Sequence, residues 1–169
     1  SGGIFLQSAA NGDANTPAIK GYERALPGAT YRVTIGLKQL HFLVSWLGCG
    51  IFLRDHVGGG IVTIGLGIEA ANRPESVGVT KYDSPTAFNA GYTAGGPLAI
   101  GCPAFLQFEV DGGNRVAKVS SDGVNWVTIH SVADNDFITP TRWGFFVNAQ
   151  HASLPAAASL VHCVEENLD

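Results

Sequence analysis

The stretch AFLQFEVDGGN (residues 104–114) alternates apolar and polar side chains and then breaks into a turn. Its even-numbered residues, from Ala104 to Val110, are apolar, which is typical of a strand with one face on a hydrophobic core. The Asp-Gly-Gly-Asn sequence that follows tolerates the positive φ angles of a tight hairpin. The stretch therefore predicts a half-buried strand that runs into an antiparallel hairpin.

The same pattern recurs along the chain. Odd positions are apolar across residues 31–38, even positions across 62–69, and every second residue from Trp143 to Val147 is large and apolar. Asp122-Gly123 predicts another hairpin turn. About eleven or twelve short strands of this kind predict an all-β fold, an antiparallel two-sheet sandwich. Weaker strand candidates are residues 4–7, 41–46, 50–55, 76–82, 97–101, 114–120, 124–130 and 157–164.

Length and composition exclude several classes of protein. The 169 residues suit one compact domain, and 46% hydrophobic against 14% charged residues is not the composition of a disordered chain. The net charge is −4 and there is no basic block, so nucleic acid is not an expected partner. No apolar run reaches the roughly 18 residues of a membrane-spanning helix, so no membrane insertion is expected.

Two segments lack a strand pattern. We expect residues 1–28 to form an N-terminal strand and a loose segment of the same domain, with the sandwich in residues 29–169. The stretch 83–103 is rich in Gly, Pro, Ala and Ser and is expected to be the main irregular loop. Loops of that length are uncommon unless they bind a ligand or partner.

The cysteines Cys49, Cys102 and Cys163 lie in or beside apolar segments. They are expected to be buried free thiols that pack as small hydrophobic residues. One disulfide with a leftover thiol remains an alternative. Because no Cys-x-x-Cys pair is present, a structural zinc site is not predicted.

One pair of acidic residues has the outline of a catalytic site. Glu109 and Asp111 lie two apart on one strand, so both point away from the core, as glycoside hydrolysis requires of paired carboxylates. Asp111 adjoins a turn, where Asp is common, and a third carboxylate of an E-x-D-x-x-E pattern would fall on Asn114. We interpret the pair as solvated strand and turn residues. A glycan-cleaving alternative would pair Glu109 with a distant carboxylate such as Glu69 or Asp55.

The segment Asp134-Asn135-Asp136 gathers oxygen atoms of the kind that calcium prefers. Calcium takes about six to eight oxygens, and no further acidic residues follow closely, so we interpret the segment as a turn-capping loop. Calcium binding at Asp134 and Asp136 stays open. The five histidines are scattered, and neither a metal nor a cofactor is predicted.

Flat aromatic rings beside hydrogen-bonding groups are typical of sugar-binding surfaces. Trp126, Tyr82 and Tyr92 are the candidates for such a platform. Trp46 and Trp143 follow the alternation of their strands and are assigned to the core.

The orientation of Trp126 depends on its neighbours. If Val127 and Ile129 point into the core, Trp126 points outward, and Thr128 and His130 are expected on the same strand face. The predicted ligand-binding residues are Trp126, Tyr82, Tyr92 and His130.

Three segments resemble one family. Residues 120–126 read S-x-D-G-x-x-W and are similar to a hairpin of concanavalin A-like sandwich domains. Residues 49–55 are similar to a G-L-x-x-R-D strand of that group, and residues 79–86 match its V-x-K-Y-x-S-x-T strand and turn. Across about residues 30–165, the chain resembles the concanavalin A-like (laminin-G-type jelly-roll) modules of tailed-phage structural and tail-associated proteins.

The resemblance implies a twelve-strand jelly roll with a role in virion structure or host-surface adhesion. Asp122 would brace its hairpin by accepting backbone N–H groups. The favoured hypothesis is a non-catalytic tail or capsid module, at the virion surface and in the host cytoplasm before assembly, that binds a surface glycan. The alternative is a structural domain that forms a homo-oligomer or packs on another virion protein. A glycan-cleaving enzyme is the least favoured.

Overall fold

A computed structural model describes residues 3–13, 15–40, 47–67, 76–93, 104–150 and 153–169. These residues form twelve β-strands, and no helix among them has the length and apolarity to cross a membrane. The strands are β1 (Ile4–Ser8), β2 (Ile19–Ala25), β3 (Tyr31–Gln39), β4 (Leu47–Arg54), β5 (Ile61–Gly67), β6 (Ser76–Ser84), β7 (Ala87–Thr93), β8 (Ala104–Val110), β9 (Asn114–Ser120), β10 (Val127–Ala133), β11 (Arg142–Ala149) and β12 (Ala156–Asn167).

The described strands form two six-stranded sheets that pack face to face. Sheet A has the order β1-β12-β3-β8-β9-β10, and sheet B has the order β2-β11-β4-β5-β6-β7. Neighbouring strands are antiparallel throughout. The predicted antiparallel, two-sheet jelly-roll sandwich is confirmed.

The main core lies between the sheets and follows from strand alternation. The odd-numbered residues of β3, Tyr31 to Leu37, are at most 2% exposed. Leu106, Phe108 and Val110 of β8 belong to this core, as predicted, and so do the alternate residues Trp143, Phe145 and Val147 of β11.

Two stretches that were expected to be loose contain edge strands. Residues 8–28 include β2, which pairs with β11, and residues 83–103 include β7, which pairs with β6. All of β2 after Ile19 is exposed, and the β6–β7 ladder has three register shifts. Exposure and bulges remove the period-two pattern from which a strand is predicted. Residues 94–103 lie outside the described residues.

The cysteines differ from one another. Cys49 is buried, as predicted, whereas Cys163 is an exposed free thiol, which corrects the prediction for that residue. Cys163 lies beyond the part of β12 that pairs with β1, so β12 is itself the sheet edge there. Cys102 lies outside the described residues.

The outer face of sheet B carries a second, smaller core. The backbone N–H of Ile19 in β2 donates to the carbonyl of Pro85 in the β6–β7 turn at 3.1 Å, although β2 and β7 lie at opposite edges of the sheet. This hydrogen bond joins the two edges across the outer face. The second core consists of Ile19, Phe52, Ile61, Tyr82 and Phe146, each at most 8% exposed.

Glycine makes room for this second core. A Cβ on Gly144 would lie 2.9 Å from Cε1 of Phe52, and one on Gly21 would lie 3.0 Å from the same atom. Side chains at these two positions would displace the Phe52 ring. The absence of a Cβ at Gly144 on β11 and at Gly21 on β2 therefore leaves room for the Phe52 ring over these two strands.

Candidate functional site

The outer face of sheet A, which we call the polar face, combines exposed residues such as His162 and Thr128 with the buried Thr34 and Gln107. Directly paired residues of antiparallel strands point to the same side, so the strand register arranges its side chains in three rows that cross the strands. The aromatic row contains His162, Gly36, Phe105 and Ser120; the amide row contains Val164, Thr34, Gln107, Lys118 and Thr128; and the charged row contains Glu166, Arg32, Glu109 and Val116.

The aromatic row is built around Phe105. Its half-buried ring meets the exposed His162 imidazole edge-on, with centroids 5.8 Å apart and planes at 70°. Gly36 lies between them on β3, where a Cβ would be 3.0 Å from Phe105 Cε1 and 2.9 Å from His162 Cβ. Glycine at this position therefore allows the two rings to meet across a strand.

The turn at Asp122 supports the same row. Oδ1 of Asp122 accepts the backbone N–H groups of Asn125 and Val124, each at 2.8 Å, which confirms the predicted bracing role. These bonds, with the Asn125 backbone bond contributing most, hold the pKa of Asp122 well below its usual value. Gly123 in this turn has φ 76°, and a Cβ there would be 3.2 Å from the Phe105 ring. The turn is thus folded against Phe105.

Trp126 follows this turn and directly precedes β10, with a half-buried side chain. Val127 pairs with Val119 on the core side, and Thr128 pairs with Lys118 in the amide row. Strand alternation therefore places Trp126 on the side of Thr128, at the margin of the polar face.

The charged row is internally neutralised. The Glu109 carboxylate accepts hydrogen bonds from Arg32 Nε at 2.7 Å and Lys118 Nζ at 2.8 Å, and Arg32 also bonds to Glu166 at 3.2 Å. Burial by itself raises the pKa of Glu109, but the hydrogen bonds from Lys118 and Arg32 outweigh it, so the pKa is lowered. Two cationic and two anionic side chains leave this part of the face without net charge.

The carboxylates do not form a catalytic pair among the described residues. Glu109 lies on the polar face of sheet A, whereas Asp55 lies in the β4–β5 turn of sheet B and accepts two backbone N–H groups there. Asp111 accepts a turn N–H, as its sequence position indicates. Glu69 lies outside the described residues. Because its cationic partners keep Glu109 ionised, it is poorly suited to act as a general acid.

A second polar cluster, which we call the seam, lies where edge strands β7 and β10 meet. The seam consists of Tyr92, His130, Lys81, Arg115 and Asp136. The Tyr92 and His130 rings stack with centroids 4.6 Å apart, and Lys81 Nζ lies 4.3 Å from the Tyr92 centroid. The Tyr92 hydroxyl donates to the Asp136 carboxylate. Two predicted site residues are thus together, but a sugar would compete with protein groups for the Tyr92 ring.

A bulge corrects the predicted orientation of His130. Thr128 pairs with Lys118, but His130 pairs with Ala117, so Ile129 is an extra residue in β10. Since Ala117 faces the core, His130 points inward while Thr128 points to the polar face. Trp126 and Thr128 therefore lie on the same side of β10, as expected, but His130 lies on the opposite side.

Sequence analysis missed Arg115, which is only 2% exposed. Its guanidinium donates to the backbone carbonyls of Asp134 at 2.8 Å and Asp136 at 2.7 Å. A signal was present, because Arg115 shares its strand phase with the buried residues Ala117 and Val119. The described residues contain no group of three His, Cys, Asp or Glu that could hold a metal ion. In this loop the Arg115 guanidinium is hydrogen-bonded to backbone carbonyls that a calcium ion could otherwise coordinate.

Tyr82, also predicted as a ligand-binding residue, lies on the other sheet. It belongs to the second core and contacts Phe88 edge-on at a centroid distance of 6.0 Å. The structure therefore does not bring Tyr82 together with Trp126 or Tyr92. The predicted core residue Trp46 lies outside the described residues.

The sequence matches no protein-family model and no curated protein. Several solved structures nevertheless share the fold. The GH43 protein BlXynB of Bacillus licheniformis has a TM-score of 0.71 at 18% identity over 97% of this chain, which spans only 32% of that protein. A legume lectin-like domain from Entamoeba histolytica gives 0.60 at 15%, covering 98% of this chain and 84% of that domain. Carbohydrate binding module CBM66 of Bacillus subtilis gives 0.53 at 12%, covering 98% and 92%.

These likenesses establish the concanavalin- and legume-lectin-like β-sandwich fold, as the sequence resemblance implied. The similar structures include a glycoside hydrolase family protein, a lectin-like domain and a carbohydrate binding module. Identities this low carry no activity from one protein to another. The tailed-phage origin stays a prediction.

Proposed function

We propose that the chain is a non-catalytic carbohydrate-binding module whose ligand lies on the polar face. The observation that carries the proposal is the three-row arrangement, in which the half-buried Phe105 ring and the exposed His162 ring lie on one outer face with polar and charged side chains. Sugar rings offer apolar C–H surfaces together with many hydroxyl groups. Stacking on the aromatic row and hydrogen bonding to the exposed Thr128 hydroxyl and the half-buried Lys118 would satisfy both.

The charges of the face point to a neutral glycan. Arg32 and Lys118 are paired with Glu109 and Glu166, so no unpaired cation is present in the charged row to attract an anionic sugar. The Gln107 amide donates to the Thr34 hydroxyl at 2.8 Å, and these side chains are only 5% and 6% exposed. They therefore form the floor of the polar face and leave ligand contacts to the more exposed side chains around them.

Solved structures with the same fold support carbohydrate binding. A lectin-like domain and a carbohydrate binding module share this fold, as does a GH43 protein. The neutralised Glu109 and the separate position of Asp55 favour binding over hydrolysis. The sequence resemblance to tailed-phage modules extends the proposal to a tail or capsid surface, where the ligand would be a host-surface glycan.

One observation favours the alternative of an assembly domain. Ile4, Phe5 and Val161 are 48%, 54% and 51% exposed along the β1–β12 edge. An edge strand with exposed apolar side chains is typical of protein–protein contacts. Light scattering over a wide concentration range tests this alternative, which a strict monomer would contradict.

A glycan array with the intact chain, followed by calorimetry on the hits, tests the carbohydrate proposal. Trp126→Ala and Phe105→Ala should each weaken binding about tenfold, because each removes a stacking ring. Phe88→Ala is the matched control, since it removes a 56% exposed ring from sheet B. Circular dichroism and thermal unfolding confirm that each variant is folded. A blank array, or folded Trp126 and Phe105 variants that bind normally, would overturn the proposal.

A further inference from the structure

His130 lies in a setting that favours its neutral form. Its Nε2 is buried and has no hydrogen-bond partner among the described residues, while its ring stacks on Tyr92. Burial lowers the pKa of His130 most, and the charges of Arg115 and Lys81 lower it further, with partial opposition from Asp136. A protonated ring would therefore be poorly accommodated in the seam.

The groups around His130 leave little to stabilise an imidazolium. Tyr92 faces it from β7, Lys81 from β6 and Arg115 from β9, and the last two are cationic. Asp134 and Asp136 follow β10, and both backbone carbonyls are bonded to Arg115. The Asp136 carboxylate, whose charge opposes the lowering of the His130 pKa, already accepts the Tyr92 hydroxyl.

The bulge in β10 offers His130 a second position. At present Ile129 is the extra residue, and Ser131 pairs with Val116. If Ser131 became the extra residue instead, Ile129 would pair with Ala117 and His130 with Val116. The pairs on either side, Thr128 with Lys118 and Val132 with Arg115, would be unchanged.

This shift would turn His130 from the seam to the polar face. Strand side chains alternate with a period of two, so moving the register by one residue exchanges the two faces. Ser131, which now lies opposite Val116, is exposed, so His130 in that position would be in contact with solvent. Because water can solvate an imidazolium there, the protonated ring is better accommodated outside the seam than within it.

We propose that His130 is a proton-operated switch of β10. In its neutral form it stacks on Tyr92 and holds the edges of the two sheets together. In its protonated form it leaves the seam by migration of the bulge, and the contact between β7 and β10 opens. The added positive charge on the polar face would then change ligand preference, a consequence that rests on the proposed function, whereas the opening of the seam does not.

NMR spectroscopy on the full chain tests the switch without any ligand. As the pH falls below the ordinary histidine pKa of 6.5, the nuclear Overhauser contact between the Tyr92 and His130 rings should disappear with the titration of His130. Amide protection factors in β7 and β10 should fall about tenfold over the same range. His130→Phe retains an aromatic ring but cannot titrate, so its protection factors should not change. His56→Gln, which removes an exposed histidine at the β4–β5 turn, should behave as the unmodified chain does.

Two results would overturn the switch. One is a ring contact that persists after His130 has titrated in the unmodified chain, a measurement that needs no variant. The other is the same loss of protection in His130→Phe. If the seam opens in acid while the glycan array stays blank, the switch stands and the proposed function fails.

Discussion

The outer faces of the two sheets are both built from six antiparallel strands, but they differ in how deeply their aromatic residues are buried. On sheet A, half-buried Phe105 lies beside the exposed His162 ring, and the neighbouring rows carry the part-exposed charged side chains of Arg32 and Lys118. On sheet B, Phe52 is 4% exposed within the second core, beneath a hydrogen bond that joins the sheet edges. An aromatic residue on the outside of a sandwich is therefore not necessarily a ligand platform, because its exposure depends on what crosses the face.

Among the substitutions on the two outer faces, Phe52→Ala should lower the free energy of unfolding the most. Deleting a buried ring removes its transfer energy and leaves a cavity, so the free energy of unfolding should fall by about 3–5 kcal/mol. Urea unfolding measures this change. Phe88→Ala, at an exposed ring on the same sheet, should cost less than about 1 kcal/mol. Equal losses in the two variants would mean that the outer face of sheet B is not a core.

The charged row of the polar face should contribute less, and in a pH-dependent way. Glu109→Gln is expected to lower the free energy of unfolding by about 1–3 kcal/mol at pH 7, because Arg32 and Lys118 lose a charged hydrogen-bond partner. The pKa of Glu109 is lowered from its ordinary 4.5 in the folded state. Its contribution is therefore fully present above about pH 4.5 and is lost as the pH falls through the folded-state pKa.

Urea titrations from about pH 7 to pH 3 on the unmodified chain and Glu109→Gln check the sign. The difference between the two proteins should narrow in acid. A difference that stays constant down to pH 3 would indicate that the effect of the substitution is steric and not electrostatic.

The smallest effect is expected at the rim of the same row. The Glu166 side chain is 43% exposed and bonds to Arg32 at 3.2 Å. Glu166→Gln should change the free energy of unfolding by about 0.5 kcal/mol, and added salt should remove the difference. Thermal unfolding at low and high ionic strength measures it. A change as large as that of Glu109→Gln would mean that Arg32, and not Glu109, organises the charged row.

The sequence predicted those features that depend on neighbouring residues in the chain. The hairpin at Asp122 and the buried Trp143 follow from turn chemistry and from a period of two, and the structure has both. The failures depend on distant residues. Ile129 becomes an extra residue only through its pairing with β9, and Tyr82 is buried only because the edges of sheet B meet across it. Neither condition can be predicted from the alternation of apolar and polar residues along a single strand.

The interleaved strand order has a consequence for how the chain folds. In sheet A, β12 lies between β1 and β3, and in sheet B, β11 lies between β2 and β4. Neither sheet can close until its latest strand arrives, so most of the pairing is non-local and folding is expected to take milliseconds to seconds. During synthesis the backbone N–H and C=O groups at the edges of the early strands stay unpaired until β11 and β12 have been made. The interval before β11 and β12 emerge from the ribosome is therefore when this protein is most exposed to aggregation.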